Sequence, residues 1–328
     1  MRLLAGDIGG TKALLAVYEG EAGALTEVQK ERIPSNDHES AEALVAAFIE
    51  RGTSKGPIDN ACFAVAGPVA DDRCQATNLP WLIDARALEK HLGIPAVTLL
   101  NDFAAIAHGV VHLEADQRVV LADLPVDPTG PIAILGAGTG LGEAILVPTP
   151  DGPRVLASEG GHADFGPRDE LEVSLLRFLL ERHDRVSVER VVSGLALTLI
   201  YEFVVTRHLA PEDSAVRHRM KVEDPGKVIG SLALEAQSPD GGQAGDAACV
   251  RTMEIFVSLY GSEAGNLALK VVPTGGLYVA GGIATKIVPL LEDGRFMTAF
   301  RSKDRMAKLL ETIRVTVVTE PEVGLLGA

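Results

Sequence analysis

A glycine-rich segment, GDIGGT at residues 6–11, stands between two short apolar runs near the start of the chain. The runs predict two strands joined by a tight turn. In this turn Gly9 and Gly10 are free to adopt positive φ, so that successive backbone N–H groups can point at an anion, and Thr11 adds a hydroxyl. The pattern favours binding of ATP phosphates, and an ordinary hairpin turn is the alternative.

Asp7 is predicted to lie at the tip of this hairpin. A carboxylate beside phosphates repels them unless a divalent cation or its water shell lies between them. A nucleotide here therefore implies Mg²⁺, with Asp7 acting through water rather than as a direct metal ligand. The alternative is that Asp7 simply begins the turn, which is a frequent role of aspartate.

The same pattern returns in IAILGAGTGLGEAILV at residues 132–147, where an apolar run, a Gly/Thr-rich turn and another apolar run follow in the same order. Two phosphate-binding hairpins are what a nucleotide clamp between two lobes requires. Neither copy matches GxxxxGK[ST], and Leu141 occupies a position where GxGxxG requires glycine, so the spacing excludes a P-loop or a Rossmann site.

A polar pair, Asn101 and Asp102, follows the buried strand predicted at AVTLL, residues 96–100. Open α/β sheets place ligand groups at the carboxyl ends of their strands. A carboxylate there can accept a hydroxyl proton during phosphoryl transfer, and the amide can hold a second hydroxyl. The alternative is that Asp102 is the N-cap of the next helix.

Two glycines separate Glu159 from His162 and remove side-chain bulk where a ligand could approach closely. The pair offers the mixed donors and acceptors that suit sugar hydroxyls, although each residue could also be a solvated or core side chain. A metal site is disfavoured because no second His or Cys lies at ligand spacing. Glu189 is explained by its place in the first turn of a helix that Ser187 caps.

Strands alternate with helices along the chain, which predicts an α/β architecture. We expect a small lobe at 1–110, completed by 313–328, and a large lobe at 111–312. Pro211 to Gly245 collects PED, DPG and SPDGG and is predicted to be a surface insertion of helix and loop.

The composition excludes several classes of protein. The chain has 328 residues and a net charge of −15, which opposes a nucleic-acid partner. Its three cysteines, Cys62, Cys74 and Cys249, have no CxxC spacing, so a disulfide framework or zinc site is not expected. No signal h-region and no apolar run of spanning length is found, so we expect a cytoplasmic protein without a membrane partner.

Together the segments resemble the bacterial glucokinase family in its hexokinase-like form. The motifs occur in family order over nearly the whole chain: LLAGDIGGTKALLAV, FAVAGPV, TNLPW, LLNDFAAIAHG, ILGAGTGLGEAIL, SEGGHADFGP, SVERVVSG and VAGGIA. The related family of sugar-binding repressors and kinases carries a Cys-rich zinc motif after its Gly-His segment. HADFGPRDELE contains no cysteine here, which favours the zinc-free branch.

The resemblance implies a two-lobed actin-like ATPase fold of the ribonuclease H-like type, with duplicated α/β lobes and an interlobe cleft. It implies that MgATP phosphorylates the C6 hydroxyl of glucose with Asp102 as general base. The implied sugar ligands are Asn101, Asp102, Glu159, His162 and Glu189. The implied nucleotide-binding residues are Gly6, Asp7, Ile8, Gly9, Gly10, Thr11, Gly138, Thr139, Gly140, Gly281 and Gly282. A homodimer is expected from the family alone.

Three alternatives stay open at the level of sequence. The first is a kinase for another hexose, such as mannose, fructose or an N-acetylated amino sugar. The second is a sugar-sensing regulator without catalysis, although no helix-turn-helix precedes residues 1–7 and the acidic charge opposes DNA binding. The third is an actin- or chaperone-like ATPase, in which Asn101, Asp102, Glu159 and His162 would lack a purpose.

Overall fold

The structure is a computed structural model that describes residues 1–21, 24–52, 56–77, 79–237 and 245–328. Two compact units are present: Met1–Leu113 with Glu322–Ala328, and Glu114–Pro321. The division differs from the predicted small lobe completed by 313–328, because Val315–Val317 pair with Leu277–Val279 inside the second unit and only Glu322–Ala328 belongs to the first. The predicted TNLPW motif contains Asn78, which lies outside the described residues.

In the first unit strands and helices alternate along the chain. Its strands are β1 (Arg2–Ile8), β2 (Lys12–Glu21), β3 (Ala24–Pro34), β4 (Asn60–Val65), β5 (Val69–Ala70), β6 (Arg73–Gln75), β7 (Leu82–Asp84) and β8 (Val97–Asn101). Its helices are α1 (Ala41–Arg51), α2 (Ala85–Leu92), α3 (Asp102–Gly109) and, from the end of the chain, α13 (Val323–Gly327).

Local signals explain where these helices begin and end. Ser40 caps α1 by accepting a hydrogen bond from the N–H of Ala43 at 3.2 Å, and Gly52 is its C-cap. Asp84 caps α2 in the same manner by accepting from the N–H groups of Arg86 and Ala87. Phe48 of α1 is fully buried and packs with Phe63 of β4 in the core of this unit. The apolar face of α1 therefore holds the helix on the sheet.

The described strands of the second unit are β9 (Arg118–Ala122), β10 (Ile132–Ala137), β11 (Leu141–Val147), β12 (Arg154–Ser158), β13 (Leu277–Ala280) and β14 (Val315–Val318). Its helices are α4 (Glu170–Leu180), α5 (Gly194–Thr206), α6 (Ser214–Val222), α7 (Pro225–Glu235), α8 (Ala247–Val271), α9 (Gly281–Ala284), α10 (Val288–Glu292), α11 (Arg295–Arg301) and α12 (Ala307–Leu310). Before α12, Asp304–Met306 form a separate 3₁₀ turn.

Both units share one sheet topology. The first sheet has the order β3-β2-β1-β4-β8, and the second has β12-β11-β10-β13-β14 with β9 added at its edge. In each case a hairpin supplies the first two strands, and the fourth strand joins in parallel beside the first, as β4 does beside β1 and β13 beside β10. The predicted repeat at the start of each lobe is thus confirmed within the described residues.

The stretch predicted as a surface insertion contributes to the core instead. Helix α7 buries Val228, Ile229 and Leu232 in the same apolar cluster as Phe256 of α8. Helix was predicted in this stretch, but on the surface; Asp224 and Pro225 of its DPG sequence are the N-cap and first residue of α7. Residues 238–244 of this stretch lie outside the described residues.

Helix α8 is the longest described helix, and its buried side runs along the core of the second unit. Asp246 caps it by accepting a hydrogen bond from the N–H of Cys249 at 2.8 Å. Among the described residues, no helix has the length and apolar character needed to cross a membrane.

Candidate active site

The carboxyl ends of three parallel strands meet at one edge of the first sheet. Ile8 of β1 is paired with Val65 of β4, and Val65 with Asn101 of β8. Asp7 precedes Ile8 inside β1, rather than lying at the tip of the turn, and Asp102 is the first residue of α3. The structure therefore brings Asp7, Asn101 and Asp102 to the same edge, where parallel sheets hold their ligands.

The turn after β1 is held by a buried serine. The N–H of Gly9 donates to the carbonyl of Lys12 at 3.0 Å, and Ser35 Oγ donates to the carbonyl of Gly9 at 2.8 Å. Ser35 is fully buried just beyond β3 and was not identified from the sequence. Neither Gly9 nor Gly10 is among the described residues with positive φ, so the predicted conformation is not adopted.

Other residues predicted at this turn have packing roles. A Cβ at Gly6 would lie 2.5 Å from Cδ2 of Leu15 and 2.7 Å from Cδ1 of Phe63. Ile8 is 2% exposed and belongs to the core. Gly6 and Ile8 can therefore face a ligand only through their backbones, whereas Thr11 is exposed.

Asp7 and Asp102 influence each other electrostatically. Burial, and next the charge of Asp102, raise the pKa of Asp7 to about 6, while Lys12 acts in the opposite direction. The carboxylate of Asp7 lies against α13, where a Cβ on Gly324 would be 3.4 Å from Oδ2. Two neighbouring carboxylates of this kind repel further negative charge and favour a cation.

Asn101 is the N-cap of α3, which corrects the alternative that Asp102 caps it. Oδ1 of Asn101 accepts from the N–H groups of Phe103 at 3.0 Å and Ala104 at 3.3 Å. Its Nδ2 donates to the carbonyl of Gly67 at 3.0 Å. These bonds fix Asn101 and, through the start of the helix, the position of Asp102.

The second hairpin turn is tied to two other segments of its unit. Gly138 N–H donates to the carbonyl of Gly140 at 2.8 Å, and Gly194 N–H, at the start of α5, donates to the carbonyl of Gly138 at 2.8 Å. Oε2 of Glu189 accepts from the N–H of Leu141 at 3.0 Å. A Cβ at Gly140 would overlap the Glu189 carboxylate, so glycine is required there.

A buried tyrosine joins this hairpin to the end of β13. Tyr260 Oη accepts from the N–H of Ala137 at 3.0 Å and donates to the carbonyl of Ala280 at 3.2 Å. Gly281 follows with φ of +88°, and a Cβ there would lie 2.6 Å from the Ala137 carbonyl oxygen. Nothing in the spacing of apolar residues along α8 singles out Tyr260, and it was missed.

A cavity of about 420 Å³ opens beside the second turn, within the size range of small-molecule sites. Glycines make up much of its wall, and two lysines add positive charge. Its lining includes Gly138, Thr139, Gly194, Asp224, Gly226, Lys227, Gly230, Ser231, Gly282 and Lys286. The contribution of α7 was not identified from the sequence, because this segment was predicted to lie on the surface. The contribution of α5 was not identified either.

Glu159, His162 and Glu189 come together in the second unit. Nε2 of His162 lies 3.9 Å from Oε2 of Glu159, and its Nδ1 lies 3.9 Å from Oε1 of Glu189. His162 ends the 3₁₀ turn Gly160–His162, and Glu189 is in the 3₁₀ turn Val188–Arg190. Ser187 makes no side-chain cap bond to that turn, so the predicted capping role is not observed.

Residues 4–328 match the family model described as Glucokinase. Curated relatives named glucokinase include that of Trichormus variabilis, 42% identical over 99% of this chain and 97% of the relative. That of Synechocystis sp. is 43% identical over 100% of this chain and 97% of the relative. The chain belongs to the glucokinase family. The predicted family and the predicted enzyme class are thereby confirmed.

Solved structures agree with this glucokinase assignment. The glucokinase of an Antarctic psychrotroph matches with a TM-score of 0.81 at 29% identity, covering 99% of this chain and 97% of that one. A ROK-family glucokinase from Streptomyces griseus, solved with glucose and AMPPNP, has a TM-score of 0.65 at 20% identity, covering 100% and 97%. The α/β fold of the two-lobed actin-like ATPase class is confirmed.

The chemistry of the donor groups at this edge of the sheet is compatible with magnesium only in part. Oxygen ligands such as Asp7 and Asp102 suit Mg²⁺. Within the described residues, however, no group of three or more His, Cys, Asp or Glu side chains could hold a metal by itself.

Proposed function

We propose that this protein transfers the γ-phosphoryl group of ATP to the C6 hydroxyl of D-glucose, giving glucose 6-phosphate and ADP. The observation that carries the proposal is the position of Asp102, directly after β8 at the carboxyl edge of a glucokinase-family sheet. The substrate class is inferred from the names of the relatives, and the general base is inferred from the position of Asp102.

In the proposed reaction Asp102 accepts the proton of the C6 hydroxyl as that oxygen attacks the γ-phosphate. Asn101 holds Asp102 in place through its cap bonds. Among the described residues its Oδ1 accepts two backbone bonds and its Nδ2 donates one, and the other N–H of the amide is proposed to donate to a sugar hydroxyl.

Glu159, His162 and Glu189 are proposed to bind the other hydroxyls of glucose. One oxygen of Glu189 is used by the N–H of Leu141, and the other faces His162. Carboxylates accept hydrogen bonds from hydroxyls, whereas the imidazole can donate or accept. This combination favours a polyhydroxy ligand over an apolar one.

ATP is proposed to place its phosphates at the two hairpin turns, Gly9–Thr11 and Gly138–Gly140. Its nucleoside is proposed to occupy the glycine-lined cavity beside Gly281 and Gly282. When bound, Mg²⁺ neutralises phosphate charge, and Asp7 is proposed to hold it through water. Small residues in the cavity wall allow the nucleotide to approach the backbone.

Asp102→Ala tests the assignment of the base. We expect kcat to fall about 10²–10⁴-fold, the usual contribution of a general base, while the Kd of glucose changes less. Coupled ADP release measures turnover, and titration calorimetry measures glucose binding. Asp37→Asn, at an exposed position of the same unit, serves as control. Near-normal turnover of Asp102→Ala would remove Asp102 from the mechanism.

A panel of sugars tests the substrate. Wild-type protein is assayed with MgATP and glucose, mannose, fructose, N-acetylglucosamine or no sugar. Turnover that is greatest with another hexose would keep the mechanism and change the substrate. ATP hydrolysis that ignores sugar would indicate a protein-moving ATPase, and glucose binding without turnover would indicate a regulator.

We also propose that the protein acts in the cytoplasm as a homodimer. Support for the compartment comes from the three cysteines outside any CxxC spacing, and support for the dimer comes from the family alone. Light scattering on the purified protein tests the dimer, since a mass of one 34.5 kDa chain would refute it.

A further inference from the structure

Two buried acidic side chains lie beneath the turn that carries Glu159 and His162, and neither has a role in the proposed reaction. Glu143 of β11 is 3% exposed, and Glu263 of α8 is 4% exposed. Burying a carboxylate without a partner is strongly unfavourable, so a buried pair of this kind requires an explanation. Both residues belong to the second unit.

One oxygen of each carboxyl group lacks a donor. Oε1 of Glu143 and Oε1 of Glu263 are buried without a hydrogen-bond partner in the described part of the chain. Two ionised carboxylates are acceptors only and cannot satisfy each other, whereas a proton between them turns one into a donor. Like charges at one site raise the pKa of one member in this manner.

The surroundings agree with one shared proton. Burial, then the charge of Glu263, raise the pKa of Glu143 to about 7, and a side-chain hydrogen bond to Glu263 adds to the effect. Lys270, also on α8, acts in the opposite direction, with its Nζ 3.8 Å from Oε1 of Glu263. The single positive charge of Lys270 can balance only one of the two carboxylates, so a proton is needed to neutralise the other.

Other polar and charged side chains contact Glu263 directly or through Asn266, on the side of Glu263 away from the strand residues that flank Glu143. Asn266 Nδ2 donates to Oε2 of Glu263 at 2.8 Å, and Lys303 Nζ donates to Oδ1 of Asn266 at 2.6 Å. Arg168 and Glu172 form an ion pair near Lys303. Burial and then the charge of Arg168 lower the pKa of Lys303, whereas Glu263 and Glu172 act in the opposite direction. On the strand side, Glu143 is paired with the uncharged residues Leu135 of β10 and Ser158 of β12.

The carboxyl group of Glu143 packs directly on Gly160. A Cβ at Gly160 would overlap Oε2 of Glu143 and would lie 3.1 Å from Oγ of Ser158. Ser158 Oγ accepts from the N–H of Gly160 at 3.0 Å. Gly160 stands directly after Glu159, so a displacement of the Glu143 carboxyl group is transmitted to the candidate sugar ligands.

We propose that Glu143 is a positioning residue, which shares a proton with Glu263 and thereby holds Gly160 so that Glu159 and His162 keep the places needed to bind glucose. The proposal rests on the proposed function. Loss of the proton leaves two buried carboxylates that repel each other beneath the turn. The KM for glucose therefore rises as the pH increases through neutrality, whereas kcat, set at Asp102, changes less.

The experiment compares wild type with Glu143→Gln, whose amide donates to Glu263 without titrating. From pH 6 to 8.5 we expect the wild-type KM for glucose to rise above pH 7, by at most about tenfold per pH unit. In Glu143→Gln the KM should stay flat over this range. Glu263→Gln should behave like Glu143→Gln, and Glu292→Gln, at an exposed position of α10, should behave like wild type.

Infrared spectroscopy tests the shared proton without any sugar. At pH 6 the wild type minus Glu143→Gln difference spectrum should contain the C=O stretch of a protonated carboxyl group, and this band should disappear by pH 8.5. Absence of the band at pH 6, or the same KM profile in wild type and Glu143→Gln, would overturn the proposal. A present band in a protein that does not phosphorylate glucose would instead refute the proposed function.

Discussion

Replacing Asp7 by asparagine is expected to make the protein more stable and less active. Asp7 is largely buried, close to the charge of Asp102, and its pKa is raised from 3.8 to about 6. Its ionised form is therefore less favourable in the folded protein than in the unfolded chain. An amide of nearly the same shape removes this charge and the associated cost.

The size and sign of the effect follow from the pKa. Because the folded pKa is the higher one, the folded protein loses stability as the pH rises from 3.8 to about 6, and the loss is complete above that range. A change from 3.8 to about 6 corresponds to about 3 kcal/mol at pH 7 and 8, and to about half as much at pH 5. Asp7→Asn should recover these amounts.

Trp81 makes the measurement specific to the first unit. It is the single tryptophan of the chain, and its side chain is buried in the same core cluster as Ile8, the residue after Asp7. Urea unfolding followed by its fluorescence at pH 5, 7 and 8 gives the free energy of unfolding for wild type and Asp7→Asn. Asp37→Asn, an exposed change of the same kind, is the control.

Turnover should fall in the same variant, because the proposed water-mediated contact to magnesium needs the ionised carboxylate. If Asp7→Asn is no more stable than wild type at pH 7, or if its gain does not shrink at pH 5, the electrostatic account of Asp7 is refuted. A stabilised variant with normal turnover would leave that account intact and exclude Asp7 from metal binding.

Three further outcomes are expected. Below about pH 6, the Mg²⁺ affinity obtained from turnover titrations should fall by up to about tenfold per pH unit, because protons compete for Asp7. Tyr260→Phe should lower the free energy of unfolding by about 1–3 kcal/mol in urea titrations followed by circular dichroism, because the N–H of Ala137 loses its acceptor. Gly281→Ala should destabilise by more than about 1 kcal/mol in the same titration, whereas Gly282→Ala, with open space at Cβ, should not.

Much of the local structure could be predicted from the sequence. Both hairpins, helices α1 and α8, and the capping roles of Gly52 at the end of α1 and Asp84 at the start of α2 follow from short-range signals. Caps, turns and apolar periodicity act between residues a few positions apart, so a short window of sequence contains the information.

Elsewhere the local signals were misleading. The Gly- and Pro-rich stretch Pro211 to Gly245 suggested helix and loop on the surface, but its helix α7 buries Val228 and Ile229 and helps to line the cavity beside Gly138. Asp102 was considered as a helix cap, but Asn101, one residue earlier, takes that role. In both cases several structures satisfy the local pattern, and packing selects one of them.

By itself the sequence determined the α/β class, the repeated hairpin with its two glycine-rich turns, and the placement of Asn101 and Asp102 at the carboxyl end of a strand. Only the tertiary structure decided which charges become neighbours: Asp102 beside Asp7, Glu263 beside Glu143, and His162 between two glutamates. The reason is physical, because burial and the distance between charges set a carboxyl group's pKa and its partners, and both depend on residues far apart in the chain.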